Sequence, residues 1–225
     1  MLGRMLGFLH TAGTHVATFD ALALALDPLL PTRHAVREDL LAAARLHGPD
    51  DSNVRAGVEE AVRALLAGGA VVVLCTCSTI GATAEQVGAA TGATILRVDR
   101  PMAERAVQLG RRIGVVAAVA ATLAPTRALL HAAAVRAGRS VEVVEAFCTD
   151  AWDRFERGDV PGYLDAIATA ALQAAEAADV VVLAQASMAP ATARLEACPV
   201  PVLSSPQLGV EAAVRACRAR SHGPA

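Results

Sequence analysis

Residues 71–85 read VVVLCTCSTIGATAE, and residues 180–194 read VVVLAQASMAPATAR. Eight of these fifteen positions are identical without a gap. A fainter match aligns residues 7–22 with residues 114–129, because a strand pattern, a polar turn and an Ala/Leu-rich helix pattern follow in the same order in both. Self-similarity of this kind indicates an internal duplication. We therefore expect two halves, each with strand, helix, strand, helix and a third strand that ends in a Ser/Thr-rich turn.

Short apolar runs alternate with helical patterns along the chain. Runs that are rich in Val and end at polar or Gly residues are typical of buried parallel strands. Strands are predicted at residues 5–10, 33–36, 70–75, 95–98, 113–118, 141–146, 180–184 and 200–203. Helices are predicted at residues 16–26, 37–46, 53–66, 79–90, 101–109, 122–137, 163–177, 189–197 and 207–220. This alternation predicts an α/β fold with parallel sheets. The predicted lobes are residues 1–98 with 205–225, and residues 99–204.

The chain contains no lysine, because all 20 of its Lys+Arg residues are arginine. A Schiff-base enzyme, or one that holds pyridoxal phosphate covalently, needs a lysine amine. The phosphate-binding loop of nucleoside triphosphatases needs a lysine as well. The composition therefore excludes these classes.

Charge and hydropathy also limit the partners. A net charge of −2 argues against a nucleic-acid surface, which needs clustered positive charge. Residues 68–84 contain a polar Cys-Thr-Cys-Ser-Thr segment and residues 113–126 are too short, so neither predicts a membrane span. Residues 1–10 lack an apolar run of signal-peptide length. We expect a soluble protein with neither a membrane nor a nucleic-acid partner.

Five cysteines, an odd number, do not suit a disulfide framework, which favours a reducing cytoplasm. Three of them lack His or Cys neighbours at metal-binding spacing, namely Cys148, Cys198 and Cys217. We therefore predict no metal site. Pairing through an Ala-rich helix face would make a homo-oligomer.

Polar turns follow the third strand of each predicted half. The first turn offers Cys75, Thr76, Cys77, Ser78 and Thr79, and the second offers Gln185, Ala186 and Ser187. Ligands of open parallel sheets lie beyond the carboxyl ends of the strands, where helix starts present N–H groups to anions. Hydroxyl and N–H groups of this kind suit a substrate carboxylate. Two such turns that face each other across a pseudo-two-fold axis would form one shared cleft.

These turns resemble those of the Asp/Glu/hydantoin racemase superfamily. Its first motif commonly reads Cys-Asn-Thr, similar to Cys77, Ser78 and Thr79 here. Its second reads Leu-Gly-Cys-Thr-His or Leu-Gly-Cys-Ala-Gly-Met, similar to LAQASMA at residues 183–189. The resemblance implies two pseudo-symmetric Rossmann- or flavodoxin-like lobes with the active site in the cleft between them. It also implies a cofactor-independent enzyme that acts at the carbon next to a carboxylate.

In racemases of this family, one cysteine of each lobe acts on opposite faces of that carbon. The resemblance assigns Cys77 as base or nucleophile, whereas Gln185 stands where the second cysteine is expected. Gln185 would then orient the substrate or stabilise an enolate-like intermediate. The residues expected to contact a small carboxylate-bearing substrate are Thr11, Ser78, Thr79, Thr122, Ala186 and Ser187.

One thiol leaves several outcomes open: isomerisation, decarboxylation, carbon–carbon cleavage, or racemisation with the help of another base. The alternative is a carboxylate-binding protein of the same fold without catalysis. The gapless repeat also sets Thr76, not Cys77, opposite Gln185, so Cys75 is a rival for the reactive thiol.

Other polar and aromatic side chains are weaker candidates. His10 ends the first strand and is either a substrate contact or a capping residue. His34 and Glu38, four residues apart, are interpreted as a surface pair at a helix start or as a catalytic pair. Trp152 and Tyr163 are interpreted as scattered surface residues, with a role in a lid or an interface as the alternative.

Overall fold

The structure, a computed structural model, describes residues 4–220. Its contacts divide the chain into two compact units. The first unit runs to Val98 and resumes at Pro206, and the second comprises Asp99–Ser205. Each unit contains one four-stranded parallel sheet, as the alternating pattern predicts.

The sheet of the first unit has the strand order β2-β1-β3-β4. Its strands are β1 (Leu6–His10), β2 (Thr32–Val36), β3 (Val72–Cys75) and β4 (Ile95–Arg97). Its helices are α1 (His15–Leu26), α2 (Glu38–His47), α3 (Ser52–Ala67) and α4 (Gly81–Thr91). Every residue of β1 and β3 is buried, because helices cover both faces of a parallel sheet.

The sheet of the second unit has the corresponding order, β6-β5-β7-β8. Its strands are β5 (Arg112–Ala117), β6 (Glu142–Phe147), β7 (Val180–Leu183) and β8 (Val202–Ser204). Its helices are α5 (Arg100–Leu109), α6 (Ala120–Arg136), α7 (Ala151–Glu156) and α8 (Val160–Ala175). Two units with the same strand order confirm the two-lobed α/β fold expected from the repeat.

The last helix, α9 (Ser205–Arg220), packs on the first unit. The Arg218 guanidinium donates to the Asp27 carboxylate at 3.2 Å and to the Leu26 carbonyl at 2.8 Å. Gly209 lies so close to Val98 that a Cβ there would come within 2.6 Å of the Val98 carbonyl oxygen. A side chain at residue 209 would therefore separate the helix from the end of β4.

Three local expectations were wrong. The segment predicted as a helix at residues 189–197 is a 3₁₀ helix over Ala186–Arg194, with Pro190 inside it. His34 lies on β2, in the strand predicted at residues 33–36, and does not pair with Glu38, whose carboxylate accepts the Gly13 N–H at 3.0 Å. Tyr163, expected at the surface, is fully buried in the core of the second unit. Helix α7 was also not predicted.

Candidate functional site

The strand registers show which residues are equivalent in the two units. The Thr76 N–H donates to the Leu9 carbonyl at 2.9 Å, just beyond β3. At the corresponding point of the second sheet, the Ala184 N–H donates to the Val116 carbonyl at the same distance. Since Thr76 therefore corresponds to Ala184, the next residues correspond as well. Cys77 and Gln185 stand at equivalent positions, one residue away from the gapless alignment of the repeat.

Gln185 binds the backbone at the end of β5. Its side chain is buried, and its Oε1 atom accepts the N–H groups of Ala118 at 2.7 Å and of Val119 at 3.0 Å. Two backbone donors fix the orientation of the amide, because only its oxygen can accept them. Converging N–H groups of this kind suit an oxyanion or a carboxylate. The second unit therefore fills this position with its own amide oxygen, while the Gln185 NH₂ group stays directed elsewhere.

The corresponding N–H groups of the first unit belong to Thr11 and Ala12, which follow β1 directly. The side chain that corresponds to Gln185 there is the Cys77 thiol. Thr11 itself is buried, with 5% of its surface exposed. The polar turn predicted for the first half thus lies beside the start of the loop after β1, as parallel strands require.

The thiols of Cys75 and Cys77 differ in accessibility. Cys75 is fully buried in β3, and its Sγ atom donates to the Cys77 carbonyl at 3.6 Å. Cys77 lies beyond the end of the strand and retains 9% exposure. Burial raises the pKa of both Cys148 and Cys217 to about 11, so these two thiols remain protonated at neutral pH.

Ser78 and Thr79 form the turn before α4. Both are buried, at 4% and 2% exposure. Within residues 4–220, the buried Ser78 hydroxyl has no hydrogen-bond partner. The Ser78 carbonyl, by contrast, accepts from the Arg97 guanidinium at 3.4 Å. A buried hydroxyl without a partner is costly unless a ligand or water completes it.

The predicted contacts of the second unit are held differently. The Ser187 hydroxyl bonds the Tyr163 hydroxyl at 2.8 Å, and burial raises the pKa of Tyr163 well above its ordinary value. Ala186 begins the 3₁₀ helix, and since its side chain is a methyl group, its backbone holds its only hydrogen-bonding groups. Thr122 lies buried in the first turn of α6, where its N–H donates to the Val119 carbonyl at 2.9 Å.

A chain of four polar side chains, here called the histidine chain, leads from the end of β3 to the surface of the first unit. It consists of Thr76, His10, His34 and Asp20. Thr76 Oγ1 lies 2.9 Å from His10 Nδ1, His10 Nε2 lies 2.8 Å from His34 Nδ1, and His34 Nε2 lies 2.9 Å from Asp20 Oδ1. The two histidine rings are stacked, with centroids 5.1 Å apart and planes 8° from parallel.

Burial, with smaller contributions from His34 and His15, lowers the pKa of His10 to about 3. His10 is therefore neutral at physiological pH. Burial raises the pKa of Asp20, but hydrogen bonds from Thr32 and His34 outweigh this effect, so its net pKa lies below the ordinary value. Sequence reasoning considered His10 only as a substrate contact or cap. The signal for the chain was that His10 and His34 lie on the adjacent strands β1 and β2 and that Thr76 directly follows β3, the other neighbour of β1.

Two further features concern the described residues as a whole. Between Arg4 and Arg220, the protein contains no helix with the length and hydropathy needed to cross a membrane. The same residues contain no cluster of three or more His, Cys, Asp or Glu side chains that could hold a metal ion.

The protein is a two-unit α/β protein with one parallel sheet in each unit. The turn after the third strand carries a thiol in the first unit, and an amide stands at the equivalent point of the second. A sequence model of the Asp/Glu/Hydantoin racemase family matches residues 12–213. The chain therefore belongs to this family, which supports an enzyme of the racemase superfamily. A search of curated proteins gave no significant match.

Solved structures with this fold include racemases and a decarboxylase. Aspartate racemase from Picrophilus torridus is 11% identical, with a TM-score of 0.72 over 96% of this chain and 95% of that one. Glutamate racemase from Francisella tularensis subsp. tularensis SCHU S4, in complex with D-glutamate, is 15% identical, with a TM-score of 0.70 over 98% and 83%. Arylmalonate decarboxylase is 19% identical, with a TM-score of 0.57 over 98% and 94%. At these identities the likeness concerns the fold.

Proposed function

We propose that the protein is a cofactor-independent enzyme that acts at the carbon next to a carboxylate of a small acid or amino-acid derivative. Cys77 serves as its base or nucleophile. With a single thiol, the reaction is an isomerisation, a decarboxylation or a carbon–carbon cleavage rather than racemisation by two cysteines.

The observation that carries this proposal is the correspondence of Cys77 with Gln185. The second unit has an amide where a two-cysteine racemase needs a thiol, and a glutamine neither removes nor returns a proton at neutral pH. The Gln185 oxygen is also already bound to the N–H groups of Ala118 and Val119. Proton transfer to carbon is thereby left to the first unit.

The polar groups near Cys77 support a carboxylate substrate. The Ser78 hydroxyl has no partner among the described residues, so a substrate oxygen would satisfy it. The N–H groups of Thr11 and Ala12 occupy the positions that bind an oxygen atom in the second unit. Thr79 supplies a further hydroxyl in the same turn. The Francisella glutamate racemase was solved with D-glutamate, a small α-carboxylate, which makes this substrate class the first to test.

Two elementary reactions fit a single thiol. In proton abstraction, the thiolate takes the proton from the carbon next to the carboxylate, and the C–H electron pair moves into an enolate-like intermediate. In decarboxylation, the bond from that carbon to a second carboxylate breaks, CO₂ leaves, and the thiol donates its proton to the carbanion. The Gln185 NH₂ group would donate to the developing negative charge in either case.

The test is proton exchange in deuterated water, followed by NMR, over a panel of amino acids, hydantoins and substituted malonates. We expect at least one compound to incorporate deuterium at the carbon next to its carboxylate, or to lose CO₂, and Cys77→Ser to abolish this. Cys198→Ser is the matched control, since Cys198 is half-buried against the core of the second unit and belongs to neither of the turns that follow β3 and β7. Binding of compounds without exchange or turnover would instead show a carboxylate-binding protein without catalysis.

A further inference from the structure

A buried arginine lies beside the turn that follows β3. Arg97 is the last residue of β4 and pairs with Cys75, the last residue of β3. Its side chain is buried, with 4% of the residue exposed, and its Nη2 atom donates to the Ser78 carbonyl at 3.4 Å. Arginine is rarely buried to this extent, because taking its charge out of water costs free energy that its partners must offset. The position of Arg97 at this turn therefore needs a physical reason.

The start of α4 has room for this guanidinium because a glycine stands there. Gly81 is the first residue of α4, and it does not have the positive φ that favours glycine. A Cβ atom at this residue would lie 3.0 Å from Arg97 Nε and 3.3 Å from Arg97 Cζ, closer than ordinary contacts. Glycine makes a helix less stable than alanine does. The arginine, and not the helix, therefore accounts for the glycine.

The Ser78 hydroxyl does not form the hydrogen bond that a serine before a helix usually forms. Such hydroxyls commonly accept a backbone N–H two or three residues further along the chain. The Ser78 Oγ atom has no hydrogen-bond partner in the described part of the chain, although only 4% of the residue is exposed. The N-cap residue of α4 is Ile80, which has no polar side chain. The turn thus buries a hydroxyl and leaves it available to a ligand.

The hydrogen bond from Arg97 restrains the peptide group between Ser78 and Thr79. No peptide bond of the described residues is cis, and the C=O and N–H of a planar trans peptide point in opposite directions. Since the Ser78 carbonyl is directed towards Arg97, the Thr79 N–H is directed away from it. Arg97 therefore limits the backbone conformations that this turn can adopt.

We propose that Arg97 is a positioning residue, which holds the turn over residues 77–81 so that the Ser78 hydroxyl stays available to the substrate carboxylate. This inference rests on the proposed function, in which that hydroxyl binds the substrate. Gly81 contributes by making room for the guanidinium. Without Arg97 the turn rearranges, and the hydroxyl binds a backbone N–H at the start of α4 instead of the substrate. Arg97 thus acts through Ser78 and not on the substrate directly.

The second unit has different residues at all three positions. The strand registers, and the correspondence of Cys77 with Gln185, identify these positions. The equivalents of Ser78, Gly81 and Arg97 are, in that order, Ala186, Ala189 and Ser204. The segment that follows β7 also forms a 3₁₀ helix and not an α-helix. The arginine and the glycine therefore occur in the unit whose turn carries the serine, as expected for residues that serve it.

The test is steady-state kinetics on a panel substrate whose turnover depends on Cys77. Arg97→Met removes the donors but keeps a long side chain, and Gly81→Ala adds a methyl group that displaces the guanidinium. Each should raise KM about tenfold, as expected for the loss of a hydrogen bond to a charged group. The kcat value should change little, because the carboxylate is bound equally in the ground state and the transition state.

Arg33→Met is the matched control. The Arg33 guanidinium also donates to a backbone carbonyl at 3.4 Å, that of Gly68, and it also lies against this glycine. Arg33 and Gly68, however, lie near the starts of β2 and β3, at the opposite end of the sheet from the turn. Arg33→Met should therefore leave KM unchanged.

A double substitution separates positioning of Ser78 from a general effect on the structure. In Ser78→Ala the hydroxyl is already absent, so adding Arg97→Met or Gly81→Ala should raise KM little further. Independent effects would multiply instead, so a second increase of about tenfold in the Ser78→Ala background overturns the proposal. A wild-type KM in Arg97→Met, or in Gly81→Ala if Arg97→Met does not fold, also overturns it.

A failure of the proposed function gives a different result from a failure of this inference. If no compound of the panel shows exchange, loss of CO₂ or turnover that depends on Cys77, the proposed function fails, and the role of Arg97 fails with it. If Cys77→Ser abolishes activity but Arg97→Met and Gly81→Ala keep the wild-type KM, the function stands and the role of Arg97 fails.

Discussion

The ends of β3 and β7 share a backbone hydrogen-bonding pattern but carry side chains of different chemistry. Both strands continue into a residue whose N–H bonds the neighbouring strand at 2.9 Å, and both then enter a polar turn. At the end of β3, Cys77 follows a threonine that is connected to the surface by two histidines and a carboxylate. At the end of β7, Gln185 follows an alanine and binds the backbone of its own unit. The two repeats therefore share their main-chain hydrogen bonds at these strand ends, whereas a few side chains give each end a different chemistry.

The two strand ends also differ in the hydrogen-bonding groups that remain available to a ligand. The Ser78 hydroxyl of the first unit is buried without a partner among the described residues. The Ser187 hydroxyl of the second is bonded to Tyr163. Unsatisfied polar groups are tolerated where a ligand will satisfy them, so this difference favours the proposal that substrate binds at the first unit.

The largest expected effect comes from removing the thiol. Cys77→Ser should lower turnover of any substrate by about 10²–10⁴-fold, the usual contribution of a general base, because a serine hydroxyl is far less acidic than a thiol. Cys75→Ser at the rival position should retain activity if the protein folds. Steady-state kinetics with both variants decide between them. Full activity in Cys77→Ser together with its loss in Cys75→Ser would assign the reaction to Cys75.

The second-largest effect is expected from a substitution that gives the end of β7 a thiol, as at the end of β3. Gln185→Cys places a thiol at the position equivalent to Cys77 and frees the N–H groups of Ala118 and Val119 to stabilise its thiolate. We expect racemisation of a chiral substrate to appear, measured by loss of optical activity and by chiral chromatography.

Gln185→Ser is the control for that experiment, since it also removes the amide but adds no thiol. It should show no racemisation. A folded Gln185→Cys variant that binds substrate and still does not racemise it would contradict the view that Gln185 replaces a second base.

The one-residue error in the repeat has a physical origin. The gapless alignment matched the three valines at residues 71–73, two of which belong to β3, with the three valines of β7. A run of identical buried residues carries no register information, because sliding it by one residue preserves every apolar contact type. Only the hydrogen bonds to β1 and β5 fix the register. The strands were thus predictable from the sequence, and the family resemblance implied that Cys77 and Gln185 correspond, but only the pairing of the strands fixes this register.

The candidate site was only partly predictable from the sequence. Polar residues at strand ends indicated the turn that contains Cys77 and Ser78, since parallel strands bring such ends to one edge of the sheet, and the family resemblance singled out Cys77 within it. The roles of His34 and Asp20 were missed, because His34, although within the strand predicted at residues 33–36, was interpreted as a partner of Glu38, and α1 gives no sign of which face meets β2. The 3₁₀ helix was missed for a similar reason: Ala-rich composition favours an α-helix, but Pro190 removes a backbone donor within the segment.

A smaller effect should distinguish the hydroxyl of Ser78 from that of Ser187. Ser78→Ala removes a hydroxyl that has no partner, so it should leave the free energy of unfolding nearly unchanged. It should raise KM about tenfold, because a hydrogen bond to a charged substrate is lost. Ser187→Ala breaks the bond to Tyr163 and should destabilise the protein by about 1 kcal/mol. Urea unfolding and steady-state kinetics on both variants check this. A marked loss of stability in Ser78→Ala would show that its hydroxyl is bound in the free protein.

The smallest effect concerns the opposite ends of the sheets, where β7 begins. The Asp179 carboxylate accepts the N–H groups of Arg111 at 2.9 Å and of Arg112 at 2.8 Å, and the Arg112 guanidinium at 3.0 Å. Val71 occupies the corresponding place in the first unit, because its N–H donates to Met5 as that of Asp179 donates to Arg112. Asp179 and Arg112 therefore form an ion pair between the starts of β5 and β7, whereas the uncharged Val71 stands at the equivalent place of the first sheet.

The hydrogen bonds from Arg112, first from its backbone and then from its side chain, lower the pKa of Asp179 to about 2. An aspartate of the unfolded chain titrates near about 3.9, so the folded protein binds this proton less readily. The stabilisation is therefore complete above about pH 4 and is lost as the pH falls towards about 2. Asp179→Asn should be less stable than wild type at pH 7, and this difference should shrink over that window in urea unfolding. Asp165→Asn, which removes an exposed ion pair with Arg194, should change stability much less. A difference between Asp179→Asn and wild type that is equal at pH 7 and pH 2 would show that the charge of Asp179 does not stabilise the start of β7.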